Sequence, residues 1–132
     1  MAVSCVRIFN PRKQLFAVLL ALLLGLLSAP ATALAQSSEE GTANFYSDKF
    51  HGKKTASGQV YDKNGLTASH KQLPFGTKVK VTNIDSGKSV VVTITDRMAK
   101  KNPAVIDVSR RAAEELGFVK TGKTRVSLEV VQ

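Results

Sequence analysis

Tryptophan is absent from this 132-residue chain and cysteine occurs once. Cys5 stands ahead of an apolar run near the start, so the body of the chain has no thiol. That excludes disulfides, a thiolate metal site and a cysteine nucleophile there. Histidine occurs only as His51 and His70, which are not at the close spacing of a paired metal motif. No glycine-rich phosphate loop, repeat or low-complexity tract is present. With aromatics at 6%, stability must come from an ordinary apolar core.

What is there begins with an export signal. Arg7, Arg12 and Lys13 form a positive head, Leu15–Leu27 is apolar, and small residues lead to Ala33-Leu34-Ala35. This is the layout of a secretory signal peptide. Residues 1–35 are expected to be removed, with Ala31 as the alternative point of cleavage. The apolar run is short against the roughly 20 residues a spanning helix needs, so no membrane insertion is expected after cleavage. Residues 36–40 read as a short polar leader and 41–132 as one domain, since about 97 residues suffice for a single core.

Charge narrows the partner. Of 19 Lys and Arg, three lie in the signal, leaving 16 against 10 acids and a net charge of +6. A basic exported domain suits an anionic polymer. Export argues against nucleic acid and for carboxylate-bearing cell-wall glycan or an anionic membrane surface. Basic residues spread along the chain are equally the signature of plain solubility.

The domain reads as short strands. Gly41–Tyr46 is expected to be the first. Val60-Tyr61 and Leu66–Ala68 are apolar pieces around an Asn64-Gly65 turn. Lys78–Asn83 alternates as a half-buried strand, and Ser89–Thr95, β-branched nearly throughout, is expected to be buried on both faces. The two form a hairpin. Val105-Ile106 is a further strand. Ser109 is placed to cap a helix over 110–116 that Gly117 ends, and Thr124–Val131 is the last strand. Composition does not choose between barrel and sandwich, although six short strands and a small helix favour a barrel.

One constellation can carry chemistry: His70 and Asp96, with Tyr46, His51, Asp62, Lys71 and Asp107. Asp96 ends a strand, where an acid is either a turn former or a site residue. His70 is either a hydrogen-bonded structural group or a general base. Asp107 is expected to serve the helix start. Tyr46 and Phe50 are core material or the lining of a sugar groove.

Three compound segments carry a resemblance: GTANFYSDKFHGKKTASGQVYD, LTASHKQLPFGTKVKVTNIDSGKSVVVTITDR and VIDVSRRAAEELG. In this order and spacing they resemble the rare lipoprotein A family of bacterial cell-envelope proteins. That family has the double-psi β-barrel domain shared with expansins and barwin-like proteins. The resemblance implies a mainly β fold, a six-stranded double-psi β-barrel with one or two short helices. It also implies a glycan-cleaving groove of the lytic transglycosylase type, acting on peptidoglycan strands in the periplasm or cell envelope as a monomer, without metal or cofactor. Asp96, in TDR, matches the family's acidic catalytic position and His70, in TASH, its partner histidine. Gln59, Tyr46, His51, Thr55 and Arg97 are then expected to bind substrate.

A lytic transglycosylase uses the C6 hydroxyl of the muramyl sugar as nucleophile, so one carboxyl can protonate the leaving oxygen and then accept the hydroxyl proton. Two positions depart from the family. Gln59 stands where many relatives carry Glu, and Met98-Ala99-Lys100-Lys101 replaces a Gly-Pro after the Asp-Arg pair. Both departures favour the alternative, a non-catalytic expansin-like module that binds wall polysaccharide.

Overall fold

The computed structural model describes residues 38–131. In chain order they form β1 (Ser38–Phe45), a short 3-10 turn (Asp48–Phe50), β2 (Thr67–His70), β3 (Lys78–Asn83), β4 (Ser89–Arg97), β5 (Ile106–Val108), α1 (Arg110–Leu116) and β6 (Lys123–Val131). The strands close into a barrel in the order β1-β5-β2-β4-β3-β6. β1 runs parallel to β5 and β2 parallel to β4, while the other neighbours are antiparallel. The expected mainly β, six-stranded barrel with a short helix is what forms.

The wall follows from alternation. Val79 and Val81 of β3, Val92 and Ile94 of β4, Ile106 and Val108 of β5 and Val126 of β6 are fully buried. Successive strand residues point to opposite faces, so one face of each strand fills the interior. β4 is therefore not buried on both faces: Val91 is 43% exposed. Its β-branched residues reflect strand propensity on the outer face, not a second layer of packing. α1 closes the core with Ala112, Ala113 and Leu116, and Phe118 follows, 1% exposed.

Several boundaries differ from the sequence reading: β4 runs on to Arg97, and β5 is Ile106–Val108 where Val105-Ile106 was expected. β1 starts at Ser38, inside the expected polar leader, because Glu39 pairs opposite Leu128 and Glu40 opposite Ser127 on β6. Backbone pairing with a distant strand outweighs the local polarity of Ser-Glu-Glu. Gln36, Ser37 and the expected signal segment lie outside the described residues. Val60-Tyr61 is not a strand and contributes only a single bridge between Val60 and Lys54.

The helix ends behave as the sequence indicates. The Ala112 N–H donates to Ser109 Oγ (3.2 Å), and the Ser109 hydroxyl donates to the Gly65 carbonyl (2.6 Å). Gly117, at φ 79°, ends α1 in the left-handed region, where glycine is unstrained. Ser109→Ala removes the cap at a fully buried side chain and takes the donor from the part-buried Gly65 carbonyl. It is expected to cost about 1–2 kcal/mol in urea unfolding, with the m-value unchanged.

Candidate active site

Register sets the site. Ser69 on β2 lies opposite Asp107 on β5 and opposite Asp96 on β4. Residues paired across strands share a face, so Asp107, Ser69 and Asp96 form a row across three strands. Ile106 and Val108 flank Asp107 and point into the core, which turns the Asp107 side chain to the other face.

Asp96 reaches that face through an irregularity. The β2–β4 register runs Thr67 to Thr93 and Ala68 to Ile94, then shifts to Ser69 and Asp96. Thr95 is the extra residue of a β-bulge. Without it Asp96 would share the core-facing side of Ile94, two residues earlier. The bulge reverses the alternation and aims the carboxylate outward.

Both Asp96 oxygens are held. Oδ2 accepts from the Tyr46 hydroxyl (2.6 Å), and Oδ1 accepts from the Ala56 and Arg97 N–H groups (2.9 Å each). Such bonds suit an ionised, acceptor-only carboxylate. Ala56 is positioned by a tight loop in which the Thr55 hydroxyl donates to the Gln59 carbonyl (2.7 Å), and the Ser57 N–H donates to the Thr95 carbonyl (3.2 Å). Tyr46 is steadied by Tyr61, ring centroids 4.6 Å apart, and by the edge of Phe50. Burial and the Asp96 carboxylate hold the Tyr46 phenol well above its usual range, so it stays a donor.

Asp107 is in the opposite condition. Its Oδ1 is buried and has no hydrogen-bond partner among the described residues. Burial, and secondarily the negative charge of Asp96, raise its pKa from 3.8 to about 6. Two carboxyls in one cleft are thus pushed apart in character, one bonded as an acceptor and one biased to hold a proton. They open on a cleft of about 240 Å³, lined also by Tyr46, Phe50, Ser69, Arg97, Met98, Ala99 and Asn102.

The remaining expected site residues fall in different places. Tyr46 and Arg97 line the cleft with Asp96. Thr55 acts through its loop and does not line the cleft, and the exposed Gln59 contributes its backbone carbonyl to the same loop. His51 is turned to the 62–63 turn, its Nδ1 accepting from the Lys63 N–H at 3.1 Å and lying 3.9 Å from Asp62. Lys71 does not line the cleft.

The expected partnership of His70 with Asp96 does not form. His70 is 5% exposed and pairs opposite Ile106, on the face away from Ser69. Its Nδ1 accepts from the Gln72 and Leu73 N–H groups, and Nε2 lies 3.0 Å from Glu39. It holds the 70–73 turn and the start of β1. One-residue offset in a strand is the physical reason: Ser69 takes the cleft face, so His70 cannot. Asp107, expected to serve the helix, is the cleft residue that the local reading misplaced, since Ser109 alone makes the cap. The signal for it lay in the VIDVS segment of the family pattern. Among the described residues no cluster of three or more His, Cys, Asp or Glu is arranged to hold a metal ion.

A closed barrel of this strand order, with a carboxyl-lined cleft across β5, β2 and β4, defines a double-psi β-barrel domain. Residues 38–128 match the family described as lytic transglycolase, and the chain belongs to that family. It is 51% identical over 89 residues to the endolytic peptidoglycan transglycosylase RlpA of Pseudomonas aeruginosa, covering 67% of this chain and 26% of that protein. It is 43% identical over 102 residues to the protein of the same name in Neisseria meningitidis, covering 77% and 43%. The chain therefore spans less than half the length of these relatives. In three dimensions it is similar to a mutant Clavibacter michiganensis expansin in complex with cellohexaose, with a TM-score of 0.57, 19% identity, and coverage of 73% of this chain and 51% of that one. At that identity the likeness concerns the fold.

Proposed function

We propose that this domain cleaves peptidoglycan glycan strands in the cell envelope as a lytic transglycosylase, with Asp107 as the acid/base and Asp96 as its charged partner. The observation that carries this reading is the pairing of an Asp107 whose buried Oδ1 has no partner among the described residues, and whose pKa is raised, with a fully bonded Asp96 in one cleft. The names of the relatives supply the substrate class.

The chemistry needs no positioned water. Protonated Asp107 gives its proton to the glycosidic oxygen as the bond from muramyl C1 to that oxygen breaks. Positive charge develops at C1 and is stabilised by the Asp96 carboxylate. The C6 hydroxyl of the same muramyl ring then bonds to C1 and releases its proton to the Asp107 carboxylate. One C–O bond is exchanged for another, a 1,6-anhydro ring closes, and the enzyme regains its proton. A single carboxyl thus performs both transfers, and the pair differs from a hydrolase pair only in leaving the nucleophile to the substrate. Gln59 has no part in this scheme, so the loss of an ionisable group there leaves it intact.

The test is mass spectrometry of purified glycan strands after incubation with the protein. Terminal 1,6-anhydromuramyl ends are expected. New reducing ends would mean hydrolysis. Intact strands that are nevertheless retained by the protein would support the second reading, a wall-polysaccharide-binding module, which the fold shared with an oligosaccharide-bound expansin favours.

A further inference from the structure

Asp96 faces the cleft only because of the extra residue at Thr95, and a bulge fixes parity only if the strand beyond it cannot slip. Beyond the bulge, β4 is held to β2 and to the turn that follows it. His70 pairs opposite Arg97, and the Met98 N–H donates a long bond to the His70 carbonyl (3.4 Å). The Arg97 side chain grips harder. Its Nη1 donates to the His70 carbonyl (3.1 Å) and to the Leu73 carbonyl (2.8 Å). The guanidinium lies over the Phe75 ring, 4.6 Å from its centroid. A charged, planar donor held by two carbonyls and a ring has little freedom left.

The turn that Arg97 grips is itself set by a side chain. The buried His70 ring accepts at Nδ1 from the Gln72 N–H (3.0 Å) and the Leu73 N–H (3.1 Å). With Nδ1 occupied as an acceptor, the ring proton sits on Nε2 and is donated to Glu39 Oε2 (3.0 Å). Asn83 shapes a second turn in the same pattern. Its Oδ1 accepts from the N–H groups two and three residues on, those of Asp85 (3.0 Å) and Ser86 (3.4 Å). The imidazole at position 70 thus does what an amide does at position 83.

We propose that Arg97 and His70 are positioning residues for Asp96. The imidazole shapes the 70–73 turn, the carbonyls of that turn clamp the guanidinium, and the clamp locks the register of β4 after its bulge. Arg97 also gives its own N–H to Asp96 Oδ1 (2.9 Å), so any slip of Arg97 reaches that carboxylate directly. His70 carries no proton in the reaction, since one nitrogen serves the turn and the other serves Glu39. The inference rests on the glycan-cleaving reading of the cleft, and deepens it by naming what keeps the charged carboxyl aimed.

The experiment sets three variants of the whole chain against the parent. His70→Leu loses the acceptor. His70→Asn loses the imidazole but keeps an oxygen for the same two N–H groups. Arg97→Lys keeps the charge and loses the planar donor. Release of 1,6-anhydromuramyl ends is expected to fall roughly a hundredfold in His70→Leu and Arg97→Lys, as a misplaced catalytic group costs. His70→Asn is expected to retain most of the activity. His70→Leu and Arg97→Lys combined are expected to cost little more than either alone, because both break one chain of contacts. Amide hydrogen exchange gives a readout independent of activity. The Arg97 N–H is expected to exchange about tenfold faster in His70→Leu and at the parent rate in His70→Asn. Nitrogen NMR of the parent is expected to find the His70 proton on Nε2, which needs no variant to fold. An inactive His70→Asn with parent-like exchange overturns the proposal and makes the imidazole a proton carrier. Parent-like activity and exchange in His70→Leu, or a proton on Nδ1, overturns it as well. If the parent makes no anhydromuramyl ends, the transglycosylase reading falls, while exchange and nitrogen NMR still decide the clamp.

Discussion

Asp107→Asn is expected to lower release of 1,6-anhydromuramyl ends by about a thousandfold, within the range general acid–base groups contribute. The same change is expected to make the domain more stable at neutral pH. The sign follows from the direction of the shift. Burial and Asp96 raise the Asp107 pKa from 3.8 to about 6, so the folded protein holds a proton the unfolded chain has lost. Below the unfolded value both states are protonated and Asp107 costs nothing. Between 3.8 and 6 the stability falls with rising pH, and above 6 the full penalty is present. At 1.36 kcal/mol per unit, that penalty is at most about 3 kcal/mol. Asparagine, isosteric and never charged, removes it. Melting curves of parent and variant should therefore coincide near pH 3.5 and separate above pH 6, the variant melting higher. Loss of activity with gain of stability is the mark of a group retained for chemistry. Equal melting temperatures at pH 7.5 would mean that Asp107 is solvated and poorly suited to act as the acid. The parent's activity is likewise expected to decline as pH rises through about 6, when the acid loses its proton.

Asp96→Asn is the second large effect. The amide oxygen can accept from Ala56 and Arg97 as Oδ1 does, and the Tyr46 hydroxyl can rotate to accept from the amide nitrogen. The fold should persist. What is lost is the charge facing C1 and facing Asp107. Turnover is expected to fall about a hundredfold or more, as when a preorganised electrostatic partner is removed. The residual activity should also lose its acid at lower pH than the parent does, because Asp96 no longer holds the Asp107 proton in place. That second readout separates a charged partner from the acid itself: an acid's removal leaves no profile to displace. A residual profile that declines through the same pH as the parent would falsify the coupling of the two carboxyls.

Much of the barrel was legible before the structure. Val79 and Val81, alternating with lysines, announce β3, and Ser109 with Gly117 brackets α1 at the residues where it begins and ends. These signals are local: side-chain period, cap chemistry and the conformational freedom of glycine act within a few residues of each other. β1 was read short at its start for the converse reason. Nothing near Ser38–Glu40 favours a strand, and the partner that makes it one is β6, some 90 residues away. The outer exposure of Val91 was hidden similarly, since valine and isoleucine record strand propensity on both faces alike.

By itself, then, the sequence determined the strand inventory, the helix, the absence of thiol chemistry from the domain and the family, whose long segments also mark Asp96. The tertiary structure decided who meets whom. It placed Asp107 beside Asp96 and turned His70 toward Glu39, and it set Arg97 over Phe75. The physical reason is parity. In a strand each residue faces opposite to the next, and the single extra residue at Thr95 reverses the count. Whether an acid looks into the core or into the cleft depends on register between strands far apart in the chain, and that is settled only when the barrel closes.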